Sequence, residues 1–462
     1  MKPIKIGLLP LYVKLYDECL SWMRPKVEAY YTDVTEKMRA TGLEVLTSPI
    51  CRLEDEFRAA ITRFEREGAE VLVTLHLAYS PSLQSEKPLK ECKLPIVILD
   101  TTPDFEFFSE GSTEGIDYDH GIHGVQDMCN LLIRNEKPFS IFAGHYIESD
   151  VCQKVADCVR AHVAAKALAT ARVGIIGEPF DGMGDFRVPY ETLKEEIGIE
   201  VIPYDPTVIA SYADKVSSEQ ILSLKAEDSA RFDNDGVSDA LYEEVTRVSL
   251  GVKAWYEAEK LDSFTVNFLA AGKTTGLRHM PFDRACRAME EGVGYAGEGD
   301  VLTAAFVGAL LHSWENTSFV EMFCPNWKDE YVFLSHMGEY NLRVAGKRPR
   351  MIVRPFPFAD TGDPYAVMAP MMPGKAVLVN LAPLGKGRYA LIAVNGTMQA
   401  VSDNSRFGNV VNGWFKPNTD LRTVLQTYSK HGGTHHSALV YGIEAESLAP
   451  MAEAFGWSFT VI

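Results

Sequence analysis

The chain has 462 residues, too many for one ordinary core, and 46% of them are apolar, enough to bury two or three domains. With 45 basic against 63 acidic residues its net charge is −18, which repels phosphate backbones and anionic lipid and argues against nucleic acid or a membrane as partner. The eight cysteines are scattered with no C-x-x-C pair, which speaks against a zinc ribbon or a dithiol motif and for reduced thiols in the cytosol.

The opening stretch "MKPIKIGLLPLYVKLYDE" is broken by Pro10, Lys14 and Asp17, too short and charged for a signal or spanning helix, and reads as a first strand of a cytoplasmic protein. From there the first third alternates apolar β-branched runs, "IKIGLLPL", "GLEVLTSPI", "AEVLVTLHL" and "LPIVILDTT", with helical patterns, one running to about residue 41 and another near 53 to 67. Continuous apolar strands alternating with amphipathic helices predict a parallel sheet covered on both faces. Function in such sheets lies beyond the carboxyl ends of the strands, which here carry "PLY", "HLAYSP" and "DTTPDF".

After the helical "SDVCQKVADCVRAHVAAKALAT" the alternation restarts with "ARVGIIGEPFDGMGDF", "GIEVIPYD" and "SFTVNFLAAG", placing a boundary near residue 168. "GIIGEPFDGMG" has glycines after a strand but is not G-x-G-x-x-G, and no acidic residue about 20 positions on completes a dinucleotide fingerprint. It reads as a turn lining a cleft. From about residue 317 strand-like pieces follow one another closely: "EYVFLSHM", "RMIVRPF", "KAVLVNLAPL" and "GRYALIAVNGTMQAV". They predict an antiparallel sheet or barrel. The expected architecture is therefore α/β: two Rossmann-like parallel-sheet domains over 1–168 and 169–316, then a β-rich C-terminal domain over 317–462.

Four places carry polar groups where structure alone would not need them. "GYAGEGD" offers Glu298 in a bed of glycines, "TSFVEMF" sets Glu321 among apolar neighbours, "VFLSHMGE" puts His336 at a strand end, and "KHGGTHHSALV" places His435 and His436 behind paired glycines. Asp300 has an ordinary explanation as N-cap of the helix expected over "VLTAAFVGALL"; Glu298 does not. Two carboxylates and two imidazoles match the donor chemistry of a borderline-hard divalent ion, Mn²⁺ or else Co²⁺ or Mg²⁺, rather than a thiolate-rich zinc site. On an octahedral ion four ligands leave two positions for adjacent substrate oxygens.

The order "GYAGEGD", "TSFVEMF", "LSHMGE", "GGTHH" resembles the metal-site series of the L-arabinose isomerase family, within the arabinose/fucose isomerase group. The likeness extends more faintly to "VLVTLHLAYSP" and "IDYDHGIHGVQD", so it covers most of the chain. It implies that Glu298, Glu321, His336 and His436 bind Mn²⁺ with His435 beside the sugar. It further implies that His123 is the first-domain histidine such proteins contribute, and that the protein is a hexamer with active sites between subunits. The implied chemistry is aldose–ketose isomerisation of an open-chain pentose or hexose through a cis-enediol, with Glu298 and Glu321 as the acid–base pair. Where the family has G-S-Q-x-L-Y-G this chain has "GLLPLYVKLYD", keeping Tyr12, and where it has H-T-Q-F-N this chain has "DTTPDFEF", with Asp100 in place of the histidine. The metal end resembles the family and the sugar-recognition end departs from it; Tyr12, Met183 and Phe268 are the expected wall residues. Two other readings stay open at this level: a sugar-binding protein without catalysis, and a metal-dependent epimerase or lyase.

Overall fold

The protein is described by a computed structural model covering residues 3–107, 115–272, 276–400 and 406–462, less the side chains of 206 and 207. The backbone divides into two compact units, Met1–Val163 and Ala164–Ile462. Among the described residues no helix is long and apolar enough to cross a membrane.

In the first unit, β1 (Lys5–Leu11), β2 (Glu44–Thr47), β3 (Val71–His76), β4 (Ile96–Asp100) and β5 (Phe139–Ala143) form one five-stranded sheet. Its order is β2-β1-β3-β4-β5 and every pairing is parallel. The period-2 alternation of strand side chains sorts the apolar runs into two cores. Ile6, Leu8, Val71, Val73, Leu75, Val97 and Leu99 pack on one face with Val27, Val34 and Met38 of the helix Met23–Ala40. Leu9, Leu11, Leu72, Ile96 and Ile98 pack on the other with Phe57, Ile61 and Phe64 of the helix Glu54–Arg66. Both faces are buried, which is why these strands read as continuous apolar runs.

The second unit begins with β6 (Arg172–Ile176), β7 (Glu200–Pro203), β8 (Asp233–Asp235), β9 (Ser263–Val266) and β10 (Gly294–Gly297). All but β8 form a parallel sheet in the order β10-β9-β6-β7. Behind β10 the helix Val301–Leu311 is buried at every position, as an element apolar all round must be. Asp300 caps it, accepting from the Thr303 N–H at 2.9 Å.

The remaining strands are β11 (Thr317–Asn326), β12 (Tyr331–Ser335), β13 (Arg350–Val353), β14 (Tyr365–Met368), β15 (Gly374–Gly385), β16 (Arg388–Met398), β17 (Gly413–Pro417), β18 (His436–Tyr441) and β19 (Ser458–Val461). Val401, at the end of the sequence stretch assigned to β16, lies outside the described residues. The run β15-β18-β11-β12-β17-β16 is antiparallel and closes on itself through β15–β16, a six-stranded barrel with β19 added in parallel along β16. "RMIVRPF" is a strand but not a barrel strand: β13 pairs with β14 and, in parallel, with β8. Arg348 and Arg350 reach Asp233 and Asp235 across that pairing, the first at 2.8 Å. The architecture is the expected one: parallel α/β sheets followed by an antiparallel closed barrel.

Candidate metal centre

The carboxyl end of β10 and three places on the barrel supply the polar side chains. Register puts Glu321 of β11 opposite His436 of β18 on one side and Ser335 of β12 on the other. Directly opposed residues share a face in an antiparallel pair, so Glu321 and His436 meet by register alone. His336 follows Ser335. Glu298 follows β10 and adopts φ +62°, the left-handed region, before Gly299 at φ +83°. For a glutamate this backbone costs roughly 1–2 kcal/mol, and such strain collects at functional sites. It is fixed at both ends: the Glu298 N–H donates to the Val266 carbonyl, and its own carbonyl accepts from the Phe180 N–H, each at 2.9 Å. Gly297 is glycine for a reason of space, because a Cβ there would lie 2.7 Å from His336 Cε1.

Glu298, Glu321, His435 and His436 each place one donor atom so that all four atoms lie within 4.8 Å of one another. His436 Nε2 is 2.8 Å from Glu321 Oε1 and 3.7 Å from Glu298 Oε2, and His435 Nε2 is 3.5 Å from Glu298 Oε2. His336 Nε2 joins the edge of this group, 3.6 Å from Glu321 Oε1. Each imidazole is held from behind. His336 Nδ1 meets Glu339 Oε2 at 2.6 Å, His435 Nδ1 meets Asp185 Oδ2 at 2.7 Å, and His436 Nδ1 meets Asp300 Oδ2 at 2.9 Å. A carboxylate on Nδ1 fixes the ring and turns Nε2 forward, the arrangement that carboxylate–histidine–metal triads use.

Among the described residues, two buried atoms at the centre lack a satisfying hydrogen bond: Glu298 Oε2 and His436 Nε2. The 2.8 Å approach of His436 Nε2 to Glu321 is short in distance but lacks hydrogen-bond alignment. Orphaned buried polar atoms are costly, and a divalent cation would satisfy both, so the donor set fits such an ion. The charges point the same way. Burial alone would raise the Glu321 carboxyl, but the facing imidazoles, His436 foremost, hold it below the usual range. Burial would lower His336 and His435, yet Glu339 lifts the first to about 9 and Asp185 the second to about 10. His436 is raised likewise by Asp300 and Glu321 against its burial. Without a cation His336 and His435 hold protons between the carboxylates near neutral pH.

Asp300, Glu339 and Asp185 are the residues sequence reasoning missed as holders of the histidines. Asp300 has one oxygen for the helix cap and the other for His436, so its capping role hid a second one. Glu339 lies three residues after His336 in "HMGE" and its separation was visible; Asp185 is 250 residues from His435 and was not. The ring stacked on His436 belongs to Phe186, 5.2 Å away and 12° from parallel. Met183 lies in the same loop, its N–H on the Phe180 carbonyl. Phe268 packs on Phe180, ring centres 5.3 Å apart, and so flanks the Glu298 backbone.

Tyr12 and His123 belong to the first unit and are brought into one group there. Tyr12 is fully buried at the end of β1, its hydroxyl without a hydrogen-bond partner among the described residues and its ring edge-on to Tyr16 at 6.0 Å. The Tyr16 hydroxyl is 3.0 Å from His120 Nε2, and His120 and Tyr79 each contact the His123 ring at 5.9 Å. Asp100 ends β4, its carboxyl raised by burial.

Parallel α/β sheets and a closed antiparallel barrel carry, at their strand ends, a glutamate–imidazole cluster whose donor set fits a divalent cation. Sequence models of the L-arabinose isomerase central domain and of the L-arabinose isomerase C-terminal domain match residues 193–313 and 316–458, together more than half of the chain. L-arabinose isomerase of a Nocardioides species is 23% identical over 91% of this chain and 86% of its own length. The enzyme of Herpetosiphon aurantiacus is 24% identical over 91% and 86%, and that of Shouchella clausii 24% over 99% and 93%. The chain belongs to the L-arabinose isomerase family and is an aldose–ketose isomerase, an intramolecular oxidoreductase.

Proposed function

We propose that the protein isomerises an open-chain pentose or hexose, L-arabinose or a related aldose, at a Mn²⁺ centre held by Glu298, Glu321, His336 and His436, with Co²⁺ and Mg²⁺ as alternatives of the same kind. The observation that carries this reading is the pair of unsatisfied buried atoms, Glu298 Oε2 and His436 Nε2, facing each other across a 3.7 Å gap. When bound, the cation supplies a Lewis acid and a template for two adjacent sugar oxygens.

The chain's own residues do the rest. One of Glu298 and Glu321 takes the proton from C2 and returns it to C1 while the O2 proton passes to O1, so a cis-enediol lies between aldose and ketose. Glu339 and Asp300 keep Nε2 of His336 and His436 turned to the centre. His435, backed by Asp185, sits at the half-exposed mouth and donates to sugar oxygens; Met183 and Phe268 serve as wall. Tyr12 and His123 are read as sugar-binding residues, the assembly as a homo-oligomer of six chains in the cytoplasm, and the two parallel sheets and the barrel as three domains bounded near 168 and 316.

Ketose formation from a panel of aldoses, by protein stripped with EDTA and then reloaded with Mn²⁺, tests the reading. Turnover that returns only with the ion is expected. Equal turnover before and after stripping would sink it.

A further inference from the structure

Behind the imidazoles of the centre stand three carboxylates, and each is fixed by a backbone N–H. Asp300 Oδ1 accepts from Thr303, Asp185 Oδ2 from His435 itself and Glu339 Oε2 from Gly338, at 2.9, 2.9 and 2.8 Å. Glu339 has one anchor more. Its Oε2 meets His336 Nδ1 at 2.6 Å, while its Oε1 accepts from the Tyr295 hydroxyl at 2.8 Å and, among the described residues, from nothing else. Tyr295 and Glu339 are each 1% exposed, so bulk water does not reach this bond. A buried carboxylate oxygen deprived of such a donor loses a charge-assisted hydrogen bond and the group that fixes its rotamer.

Tyr295 lies on β10, the strand whose end delivers Glu298. Alternation along the strand puts Tyr295 and Gly297 on one face, and the His336–Glu339 pair is pressed against that face at both points. Tyr295 bonds Glu339, and a Cβ at Gly297 would lie 2.7 Å from His336 Cε1. The Tyr295 ring is edge-on to Phe319 of β11 at 6.0 Å, and the Phe319 ring stands 4.8 Å from that of His336 and 5.0 Å from that of His436. One strand of the parallel sheet therefore sets the place of a forward glutamate and, by a hydrogen bond to the loop after β12, the place of a histidine carried by the barrel.

We propose that Tyr295 is a positioning residue of the metal centre: its hydroxyl holds Glu339, and through Glu339 the His336 ring, in place relative to Glu298. The proposal rests on the metal-centre reading above for His336 as a ligand. Packing against Phe319 needs only the ring, which phenylalanine would supply; the hydroxyl is the part that reaches the histidine. Groups that hold a ligating histidine from behind change metal affinity by about 10–100-fold, and one that acts only through Glu339 belongs at the lower end of that range.

Calorimetric Mn²⁺ titration of Tyr295→Phe, Glu339→Gln and the double variant tests it, with Tyr256→Phe as control. Tyr256 is also buried, donates to Glu291 Oε2 at 2.9 Å and stacks on Phe264 at 5.8 Å, so its variant loses a comparable bond away from the centre. Tyr295→Phe is expected to bind Mn²⁺ about tenfold more weakly, Tyr256→Phe as the wild type does, and the double variant no more weakly than Glu339→Gln alone. Wild-type affinity in Tyr295→Phe overturns the proposal, as do losses that multiply in the double variant, since a purely structural hydroxyl would act independently of Glu339. The link is also readable without metal. In ¹⁵N-histidine-labelled protein the His336 Nδ1 proton, assigned by its loss in His336→Gln, should shift in Tyr295→Phe and not in Tyr256→Phe. That shift in a wild-type protein that binds no Mn²⁺ supports the Tyr295 tether and removes the metal-centre reading; Mn²⁺ binding with an unmoved resonance in Tyr295→Phe does the reverse.

Discussion

Two sets of buried histidines divide the molecule. His76, at the end of β3 in the first unit, is 2% exposed, and neither ring nitrogen has a hydrogen-bond partner among the described residues. The glycine face of the helix Gly121–Arg134 presses on it, since a Cβ at Gly124 would lie 2.5 Å from its Cδ2. Burial pushes its pKa down to about 3. His336 and His436 are buried as deeply, 5% and 0% exposed, yet their pKa values are raised. The difference is a carboxylate behind each Nδ1, Glu339 or Asp300, joined by Glu321 in front of each Nε2. Burial alone makes an imidazole neutral and inert; burial with a buried carboxylate behind it makes a ring that holds a proton or, in exchange, a cation.

Removing the forward carboxylates should do most. Glu298→Gln and Glu321→Gln each keep shape and lose the base, and kcat should fall by about 10²–10⁴-fold in a ketose-formation assay. A variant with near-normal kcat would take that glutamate out of the acid–base role. The carboxylates behind come next. Asp300→Asn and Glu339→Gln should weaken Mn²⁺ binding by about 10–100-fold, measured by calorimetric titration. Unchanged affinity would mean the Nδ1 contacts are structural only.

Proton exchange sharpens the comparison further. With His336 at about 9 and His435 at about 10 in the metal-free protein, both above the unfolded value near 6.5, their stabilisation is complete below about pH 6.5 and is lost as pH rises through 9 to 10. Mn²⁺ binding at pH 7 should therefore release protons, visible as a buffer-dependent binding enthalpy. The same enthalpy in buffers of different ionisation heat would contradict it. For His76 the sign reverses. Its folded pKa is depressed, so its neutral form stabilises above about 6.5, and that is lost as pH falls toward 3. His76→Leu should narrow the stability lost between pH 7 and pH 5 by about 2 kcal/mol or less, followed by hydrogen exchange in residues 1–163. An unchanged acid response would show that His76 finds a proton partner the static structure lacks.

Periodicity made the parallel sheets and the barrel legible, because Val71–His76 and Gly374–Gly385 carry their burial in their own sequence. The forward residues Glu298, Glu321, His336 and His436 stood out by oddness of setting and by order. What supports them was hidden for different reasons. Asp300 had a sufficient local explanation, Asp185 reaches His435 only through the fold, and Phe186 stacks on His436 from a glycine-rich loop whose path no pattern fixes. The exclusion of β13 from the barrel was equally unreadable, since its pairing with β8 joins segments more than a hundred residues apart.

An anomalous difference map from crystals grown with Mn²⁺ tests the central claim most directly. A single strong peak bonded to Glu298, Glu321, His336 and His436 is the predicted result. Crystals that bind the ion elsewhere, with Glu298 Oε2 and His436 Nε2 still unligated, would contradict it.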